Sequence, residues 1–460
     1  MNEDQPDCRT DQKPLEEETM NARILIKTFA TLVSATTICS AAFAQEKKPV
    51  SWWYENAAPE NQQFLKDLLV KPFNDGSKDA ALSIDFRGAE LDKQLRIAML
   101  SGSGPDVIYT AGPSYVASMA QAGQLLPLDD YAAKLGWHER ILPVFLELGK
   151  YDGKLYALPK TYETLGLFYN KTLFEKNGWT PPKTIAEFEA LAEAMKAKNI
   201  VPFGAGNADW RPSNEHYVSI VLNSVAGPDN MYKALKGEIP WTSEPFVKAV
   251  DTLNKWWQAG YFGPNYFSLT GEQAFAQIAT GAAGMAPTGT WNFTNVPKYF
   301  KENNAEPGFV GFPSGEGVPY PIYALGIGST FSIAAGSKNP DGAAEVVNYV
   351  FSDKFYGDMN TVWQGEWNTP LRDLSKVKVG DAVLPLYTET MKNLADSVNK
   401  NQYGYTTWTF LPPATDTYLV SGIEELWLGK TTTAEFLEKL DATFKQEKAA
   451  GKVPAIPARQ

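Results

Sequence analysis

Apolar and polar positions in the first third of the chain follow two alternating periods, which predict strands and helices in turn. The stretch "KKPVSWWYENAAP" predicts an opening strand that breaks at Glu55, and "LSIDFRG" and "PDVIYTAG" predict two more strands. Apolar residues at helical spacing predict the intervening helices, which are "NQQFLKDLLVKPFND", "AELDKQLRIAMLSGSG" and "PSYVASMAQAGQLLPLDDYA". Strands that alternate with helices are typical of βαβ units around a parallel sheet.

The pattern resumes later in the chain with a well-capped amphipathic helix in "TIAEFEALAEAMKAKNI". The remaining predicted elements are helices at 214–224, 244–259 and 271–280, strands "AAGMAPTG" and "ALGIGSTFSIAAG", and helices "DGAAEVVNYVFSD", "TDTYLVSGIEELWLG" and "TAEFLEKLDATFKQEKAAG". The sequence contains no repeat, no low-complexity linker and no charge block. These elements favour two α/β lobes joined by extended crossings over two domains that follow one another.

The N-terminal region has the layout of an export signal. From Met20, a short basic start leads into an apolar run of small residues and then Ala42-Phe43-Ala44, which predicts a signal peptide at 20–44 that is cleaved after Ala44. Residues 1–19 are acidic and polar, so we expect them to be a start-site artefact. Two alternatives stay open: a core helix behind a disordered tail, and lipid attachment at Cys39.

Charge and composition narrow the class of function. The net charge of −11 and the pI of about 5.0 argue against nucleic acid or an anionic membrane as a partner. Both cysteines precede the predicted cleavage point, so the mature chain has no disulfide and no thiolate site. With only His138 and His216 besides, we expect no metal and no cofactor. These features suit a periplasmic protein.

Enzyme motifs are missing from the sequence. It has no GxSxG, no Walker A loop and no GxGxxG after a strand. The glycine run "SGSGPD" leads into a strand, an order that is wrong for a phosphate site, so Asp106 is expected to structure the turn. A two-carboxylate glycosidase stays open by residue count alone. We expect a binding protein rather than an enzyme.

The stretch "GAAGMAPTGTWNF" keeps its backbone bare up to one large indole, Trp291. Other aromatic residues stand at loop-like or strand-end positions, where a flat ring can cover the C–H face of a sugar. Nearby polar residues can then bind the hydroxyls; they are Glu55, Asn56, Glu163, Arg211 and Asn292. Six tryptophans in or beside helical patterns are expected in the core instead: Trp137, Trp179, Trp241, Trp256, Trp257 and Trp427.

Four stretches in the right order resemble the family 1 extracellular solute-binding proteins, the sugar-capturing components of ATP-binding-cassette importers, related to maltodextrin-binding protein. They are "GPDVIYTAGPSYVASMAQAGQLLPLDDY", "YDGKLYALPKTYETLGLFYNKTLFEKNGW", "AAGMAPTGTWN" and "LGIGSTFSIAAGSKNPDGAAEVVNYVFSD". The resemblance covers nearly all of 45–460.

The resemblance implies an α/β fold of the type II periplasmic-binding class, with a ligand cleft between two lobes. The N-terminal lobe would comprise 45–162 and 324–357, and the C-terminal lobe 163–323 and 358–460. It also implies a carbohydrate ligand, an inner-membrane ABC permease with its ATPase as partner, and a monomer.

The resemblance further implies ligand-binding residues, with Trp291 first among them as the indole beneath the sugar. In chain order the set is Trp53, Tyr54, Glu55, Tyr109, Thr110, Glu163, Trp210, Arg211, Trp291, Asn292, Tyr323, Trp363 and Trp408. For Trp363 and its neighbour Trp367, a role in the core is equally open.

Two positions depart from the maltose binder of the family. Thr110-Ala111-Gly112 replaces an aromatic followed by charged residues, which argues against maltodextrin as the ligand. Arg211 replaces part of an acidic–aromatic loop and would suit an anionic substituent or a pair of hydroxyls. Alternatives are a binding protein for glycerol phosphate, polyamine or iron, and an exported carbohydrate enzyme.

Overall fold

The computed structural model describes residues 46–55, 57–88, 91–110, 112–209 and 211–459. The predicted start-site artefact at 1–19 and the predicted signal peptide at 20–44 lie outside these residues. Within the described ranges, no helix is both long and apolar enough to cross a bilayer.

The strands form two main sheets and one short hairpin. Their bounds are β1 Lys48–Tyr54, β2 Ala80–Phe86, β3 Val107–Thr110, β4 Lys150–Tyr151, β5 Lys154–Leu155, β6 Leu158–Glu163, β7 Leu165–Asn170, β8 Val201–Phe203, β9 Ala283–Gly289, β10 Pro307–Val310, β11 Ala324–Ile333 and β12 Gly404–Tyr405.

Helices fill the intervals and cover the sheets. Their bounds are α1 Pro59–Leu65, α2 Lys71–Gly76, α3 Leu91–Ser101, α4 Pro113–Gln121, α5 Asp129–Lys134, α6 Trp137–Arg140, α7 Pro143–Leu148, α8 Lys171–Asn177, α9 Ile185–Lys196, α10 Pro212–Ser224, α11 Pro228–Lys236, α12 Glu244–Gln258, α13 Gly271–Thr280, α14 Val296–Glu302, α15 Pro340–Val350, α16 Asp353–Val362, α17 Pro385–Asn399, α18 Thr407–Phe410, α19 Pro413–Trp427 and α20 Thr433–Ala449. A π turn at Lys66–Val70 joins α1 to α2, and a 3₁₀ segment covers Thr290–Asn295.

Most predicted helices agree with these bounds to within a few residues because their end signals act locally. The stretch predicted as one helix over 113–132 forms two, α4 and α5, because Gly123 takes a positive φ and ends the first. The α9 helix begins with a reciprocal cap between Thr184 and Glu187, and α20 begins in the same way. The helix predicted from 214 begins at Pro212, since proline is well suited to the first turn.

The first sheet has the strand order β12–β11–β3–β1–β2, and β6 pairs with the other side of β11. The β1 strand runs parallel to β2 and β3, as the βαβ pattern predicts. Val50, Trp52 and Tyr54 are buried on one face, while Trp53 projects from the other beneath the guanidinium of Arg87. The carboxyl ends of β1, β2, β3 and β6 meet at one edge of this sheet.

The second sheet has the order β10–β7–β9–β8, and every residue of its inner strand β9 is buried. The small residues of β9 have a packing reason. A side chain at Gly284 would overlap the thioether of Met195, and one at Gly289 would overlap the indole of Trp291. The absence of a side chain at Gly289 therefore lets the indole of Trp291 pack against its own strand.

The chain crosses between the sheets at two places that are clear from strand pairing. One residue, Thr164, separates β6 of the first sheet from β7 of the second. The chain returns between β10 and β11. Two sheets joined by these crossings form a two-lobed α/β architecture, in agreement with the predicted fold class.

The predicted lobe boundaries remain a proposal, and sheet membership differs from them in places. Glu163 pairs with Gly326 and so belongs to the first sheet. Gly404–Tyr405 also belongs to that sheet, because it pairs with Ala324–Leu325. Trp367 also packs on first-sheet aromatics, whereas the prediction assigns all of 358–460 to the second lobe. The helices α19 and α20 pack beside α10 and α12, as that assignment expects.

The tryptophans expected in the core lie there. Trp137, Trp241, Trp256 and Trp427 are buried. Trp257 is half-buried and stacks on Trp427 with ring centroids 4.6 Å apart. Trp179 is also half-buried against the core.

Asp106 structures the turn before β3, as predicted. Its Oδ2 accepts hydrogen bonds from the backbone N–H and the hydroxyl of Ser51, both at 2.8 Å. Its Oδ1 accepts one from the hydroxyl of Ser337 at 2.6 Å. One carboxylate thereby ties β1, β3 and the end of β11 together.

Replacing Asp106 with alanine should lower the free energy of unfolding by about 2–3 kcal/mol, because three donors lose a charged acceptor. Urea unfolding of the mature chain, followed by circular dichroism, measures this loss. The exposed Asp79 provides a matched control, and Asp79→Ala should change the value by less than about 0.5 kcal/mol. Equal losses in the two variants would contradict the role of Asp106.

Candidate functional site

The short crossing at Thr164 joins the ends of the two sheets. Leu165 at the start of β7 pairs with Gly289 at the end of β9, and Glu163 and Trp291 lie two residues beyond this pair in their own segments. Thr164 also accepts a hydrogen bond from the Thr290 N–H at 3.1 Å. The carboxyl edge of the first sheet and the end of β9 therefore meet at one point.

Glu163 stands over two glycines of β11. A side chain at Gly326 would come within 3.1 Å of both Glu163 and the indole of Trp408, and one at Gly328 would lie 2.6 Å from the Glu163 carboxylate. The indole of Trp408 donates a hydrogen bond to Glu163. The two glycines thus make room for a buried carboxyl group beside an indole.

Three rings from three different elements meet at this place. The His216 ring on α10 lies 5.0 Å from the Trp291 ring and 6.1 Å from the Trp408 ring, measured between centroids. The two indoles are 6.0 Å apart in an edge-to-face arrangement. Trp291 and Trp408 are both half-buried, so part of each indole stays accessible. Burial lowers the pKa of His216 to about 3, so its imidazole is neutral at neutral pH.

Burial also controls the charge of Glu163, which is only 5% exposed. Desolvation, with a smaller effect from the Glu366 carboxylate, raises the pKa of Glu163 to about 8. Lys160 and the indole N–H of Trp408 act in the opposite direction. At neutral pH the group is largely protonated and can both donate and accept hydrogen bonds.

A buried lysine packs against aromatic rings at the edge of the first sheet. Lys160 is 1% exposed, pairs with Glu366, and donates to the hydroxyl of Tyr54 at 3.3 Å. Its ammonium lies 4.8 Å from the ring of Trp367 and 5.6 Å from those of Tyr54 and Tyr109. These cation–π contacts offset part of the cost of burying the charge.

Two more carboxyl groups stand at the N-terminal turns of α10 and α19. Glu215 and Asp416 are hydrogen-bonded to each other, which requires a shared proton. Burial and the neighbouring Asp416 raise the pKa of Glu215 well above its usual range. Burial raises the pKa of Asp416 to about 7, helped by Glu447. The ring of His216, the next residue after Glu215, lies against Trp291 and Trp408, which places this pair beside the site.

Several other predicted residues lie at or beside this edge. The hydroxyl of Tyr109 donates to Glu55 at the end of β1. Tyr54 is fully buried under Lys160, and Thr110 is buried with its hydroxyl on that of Thr330 at 2.6 Å. Asn292 is buried and donates to Thr288 at 2.9 Å. These side chains have partners within the protein.

The remaining predicted residues contact other groups. Arg211 is exposed and lies 3.6 Å from the carboxylate of Glu424. Trp363 is buried in the core, and Tyr323 is half-buried beside Asn393. Trp53 lies on the opposite face of β1 from Tyr54, and Trp210 lies outside the described residues. The roles of all these residues in binding stay predictions.

Sequence reasoning missed several members of the site. They are Lys160, Glu215, His216, Glu366 and Asp416. Glu215 and His216 open a predicted helix directly after Trp210-Arg211-Pro212, and a helix N-terminus beside an aromatic loop was a usable signal. Lys160 gave none, since a single lysine between Pro159 and Thr161 is expected to be exposed.

The arrangement suits a neutral or cationic polyhydroxylated molecule. The half-buried indoles offer apolar faces, and the carboxyl groups offer hydrogen-bond acceptors and donors close to them. Among the residues that the structure describes, no three His, Cys, Asp or Glu side chains are arranged to hold a metal ion.

The raised pKa of Glu163 makes a prediction for stability against pH. The folded protein holds this proton more tightly than the unfolded chain, so the wild-type loses stability as pH rises from about 5 to about 8. Glu163→Gln has no charge to bury and should gain relative to the wild-type over that interval. Urea midpoints at about pH 5 and about pH 8.5 measure the gap. For the exposed Glu302→Gln the gap should stay constant, and parallel curves for Glu163→Gln would contradict the burial effect.

Known proteins resemble this chain over most of the described residues. The sequence profile described as "Bacterial extracellular solute-binding protein" matches residues 49–355. An uncharacterized ABC transporter extracellular-binding protein of Pyrococcus horikoshii is 26% identical over 371 residues, covering 77% of this chain and 78% of that protein. Diacetylchitobiose binding protein NgcE of Streptomyces coelicolor is 26% identical over 298 residues, 61% of each chain.

Solved structures share the fold. A chitin oligosaccharide binding protein, 20% identical, superimposes with a TM-score of 0.76 over 88% of this chain and 99% of its own. The GacH receptor of Streptomyces glaucescens, also 20% identical, gives 0.70 over 87% and 98%. Because the family profile spans more than half of the sequence, this chain belongs to the bacterial extracellular solute-binding proteins.

Proposed function

We propose that this protein captures a sugar or oligosaccharide in the periplasm and delivers it to an inner-membrane ABC permease that a separate ATPase drives. The observation that carries the proposal is the meeting of Trp291, Trp408 and His216 over the buried Glu163. Flat rings can cover the C–H bonds on the face of a sugar, and the carboxyl groups beside them can hydrogen-bond to its hydroxyls.

The names of relatives support a sugar as the ligand. Besides the diacetylchitobiose binder, they include a maltotriose-binding protein of Pyrococcus abyssi, 26% identical over 264 residues that cover 56% of this chain and 53% of that protein. Phosphate esters fit less well, because Lys160 and Arg211, two cations of this region, already face Glu366 and Glu424.

In this proposal, the lobes close on the sugar by a hinge at the crossings, and the closed form docks on the permease as a monomer. The mature chain is exported by cleavage after Ala44, uses no cofactor, binds no nucleic acid and does not turn over its ligand. A ligand that contacts both lobes binds the closed form preferentially and so shifts the population towards it.

A thermal-shift screen of the mature chain tests the proposal with neutral mono- to tetrasaccharides, amino sugars, phosphorylated sugars, glycerol phosphate and polyamines. We expect at least one saccharide to stabilise the protein, by about 2.7 kcal/mol at a hundredfold excess over its Kd. Stabilisation by glycerol phosphate or by a polyamine alone would contradict a sugar-binding function.

The variant Trp291→Ala should bind the selected sugar about 30-fold more weakly, since a central aromatic contact is typically worth about 2 kcal/mol or more. Isothermal titration calorimetry measures the affinity, and circular dichroism checks the fold. Trp179 is also half-buried but packs edge-on against Phe174, so Trp179→Ala is the control and should keep the wild-type affinity. Unchanged affinity in Trp291→Ala would remove this residue from the site.

Substitutions at two glycines of β9 distinguish the effect of the orientation of Trp291 from the effect of packing around the strand. In Gly289→Ala the new methyl overlaps the Trp291 indole, which must move, so sugar affinity should fall about tenfold and tryptophan fluorescence should change. In Gly284→Ala the methyl meets the flexible thioether of Met195, so stability should fall while affinity stays. Equal affinities in both variants would mean that the orientation of Trp291 does not matter.

A further inference from the structure

The candidate site contains an excess of acidic groups. Glu163 ends β6, and Glu366 pairs with Lys160 of the same strand. Glu215 and Asp416 stand at the N-terminal turns of α10 and α19, and the ring of His216, next to Glu215, lies 6.1 Å from the ring of Trp408 beside Glu163. Glu55 adds a fifth carboxyl group, which accepts from Tyr109. No comparable set of cations is positioned among the described residues of this region.

The lysine and the arginine of this region already face carboxylates of the protein. Lys160 is buried and pairs with Glu366, so it neutralises one carboxylate and cannot reach outward. Arg211 is exposed and faces Glu424, outside the group of five. His216 is neutral because it is buried between the two indoles. Glu447 lies behind Asp416 and caps α19 by accepting from the Ala414 and Thr415 N–H groups.

Bound protons, rather than a cation, neutralise two of these carboxyl groups. Glu215 must hold a proton to donate to Asp416, and Glu163 holds one at neutral pH. The Asp416 Oδ1 atom is enclosed, and no backbone or side-chain N–H or hydroxyl of the described residues donates to it, so the pair depends on the proton that it shares with Glu215. A ligand ammonium beside the pair can take the place of that proton as the donor.

We propose that the site selects sugars that carry a free, protonated amino group over their neutral and N-acetylated counterparts. This inference rests on the proposed function and narrows it to one substrate class. An ammonium donates up to three hydrogen bonds and carries the charge that the carboxyl groups lack. A hydroxyl supplies one donor and no charge, and an acetylated nitrogen loses the charge.

The binding step has a proton balance that can be measured. When the ammonium enters, carboxyl groups that were protonated ionise beside it, so amino-sugar binding releases protons to the buffer. A neutral sugar replaces no charge and should release none. The size of the release therefore reports whether the amine lies among these carboxyl groups.

The test is isothermal titration calorimetry of the mature chain at about pH 6.5, where the amine is charged, in two buffers of different ionisation enthalpy. The panel pairs glucosamine, galactosamine and the β-1,4-linked glucosamine disaccharide with the matching hydroxyl and N-acetyl sugars. For each pair that binds, we expect the amino sugar to bind at least about tenfold more tightly and to release protons.

Charge-removing variants locate the effect. Asp416→Asn and Glu163→Gln should reduce the ratio of amino-sugar to neutral-sugar affinity to within about threefold, whatever change they make to the affinity for the neutral sugar. Glu425→Gln, an exposed carboxylate farther along the same helix as Asp416, is the control and should keep the full preference. A preference that survives in both site variants would place the amine elsewhere and overturn the inference.

The outcomes separate this inference from the function on which it rests. Neutral or N-acetylated sugars that bind as tightly as amino sugars would overturn the amino preference and leave sugar binding intact. A panel in which no sugar binds, while a polyamine such as spermidine does, would contradict the proposed function as well.

Discussion

The site depends on a crossing that is one residue long. Because only Thr164 separates β6 from β7, the two sheets cannot move apart at this point without breaking strand pairing. The register on either side then fixes what meets there: Glu163 ends one ladder, and Trp291 follows the end of the other. Covalent continuity and backbone pairing therefore bring together the two segments that carry this carboxyl group and this indole.

Around the Thr164 crossing, burial strengthens the electrostatic interactions between side chains. Gly326 and Gly328 let the carboxyl group of Glu163 sink against β11, where water cannot stabilise its charge. Lys160 lies below it, but Glu366 and three aromatic rings already hold that ammonium. The balance leaves protons on carboxyl groups at neutral pH. A partner with hydrogen-bond donors can then be distinguished by its charge as well as its shape.

The alternating periods were enough to predict two α/β lobes, because strand and helix signals in this chain are local and agree with one another, whereas the type II periplasmic-binding class was implied by the family resemblance. Trp291 could be singled out because small residues leading to one indole are unusual in a core strand. Asp416 could not, since nothing local shows that α19 packs against α10 and brings this carboxyl group to Glu215. Thr110 was predicted from its place at a strand end, yet its hydroxyl is bound to Thr330, 220 residues away in the chain. Long-range pairing of this kind is invisible to a pattern that repeats every few residues.

The carboxyl groups are divided between the two sides of the crossings, and this division has a consequence for the proposed closure. Glu163 moves with the end of β6, whereas Glu215 and Asp416 move with helices that pack beside the second sheet. A ligand that contacts one side only has equal affinity for open and closed forms and shifts nothing. A cation placed between the two sides attracts both, so it stabilises the closed form more than the open one. Charge selection and closure would then have the same origin, since the positive charge of the ligand attracts carboxyl groups on both sides of the crossings.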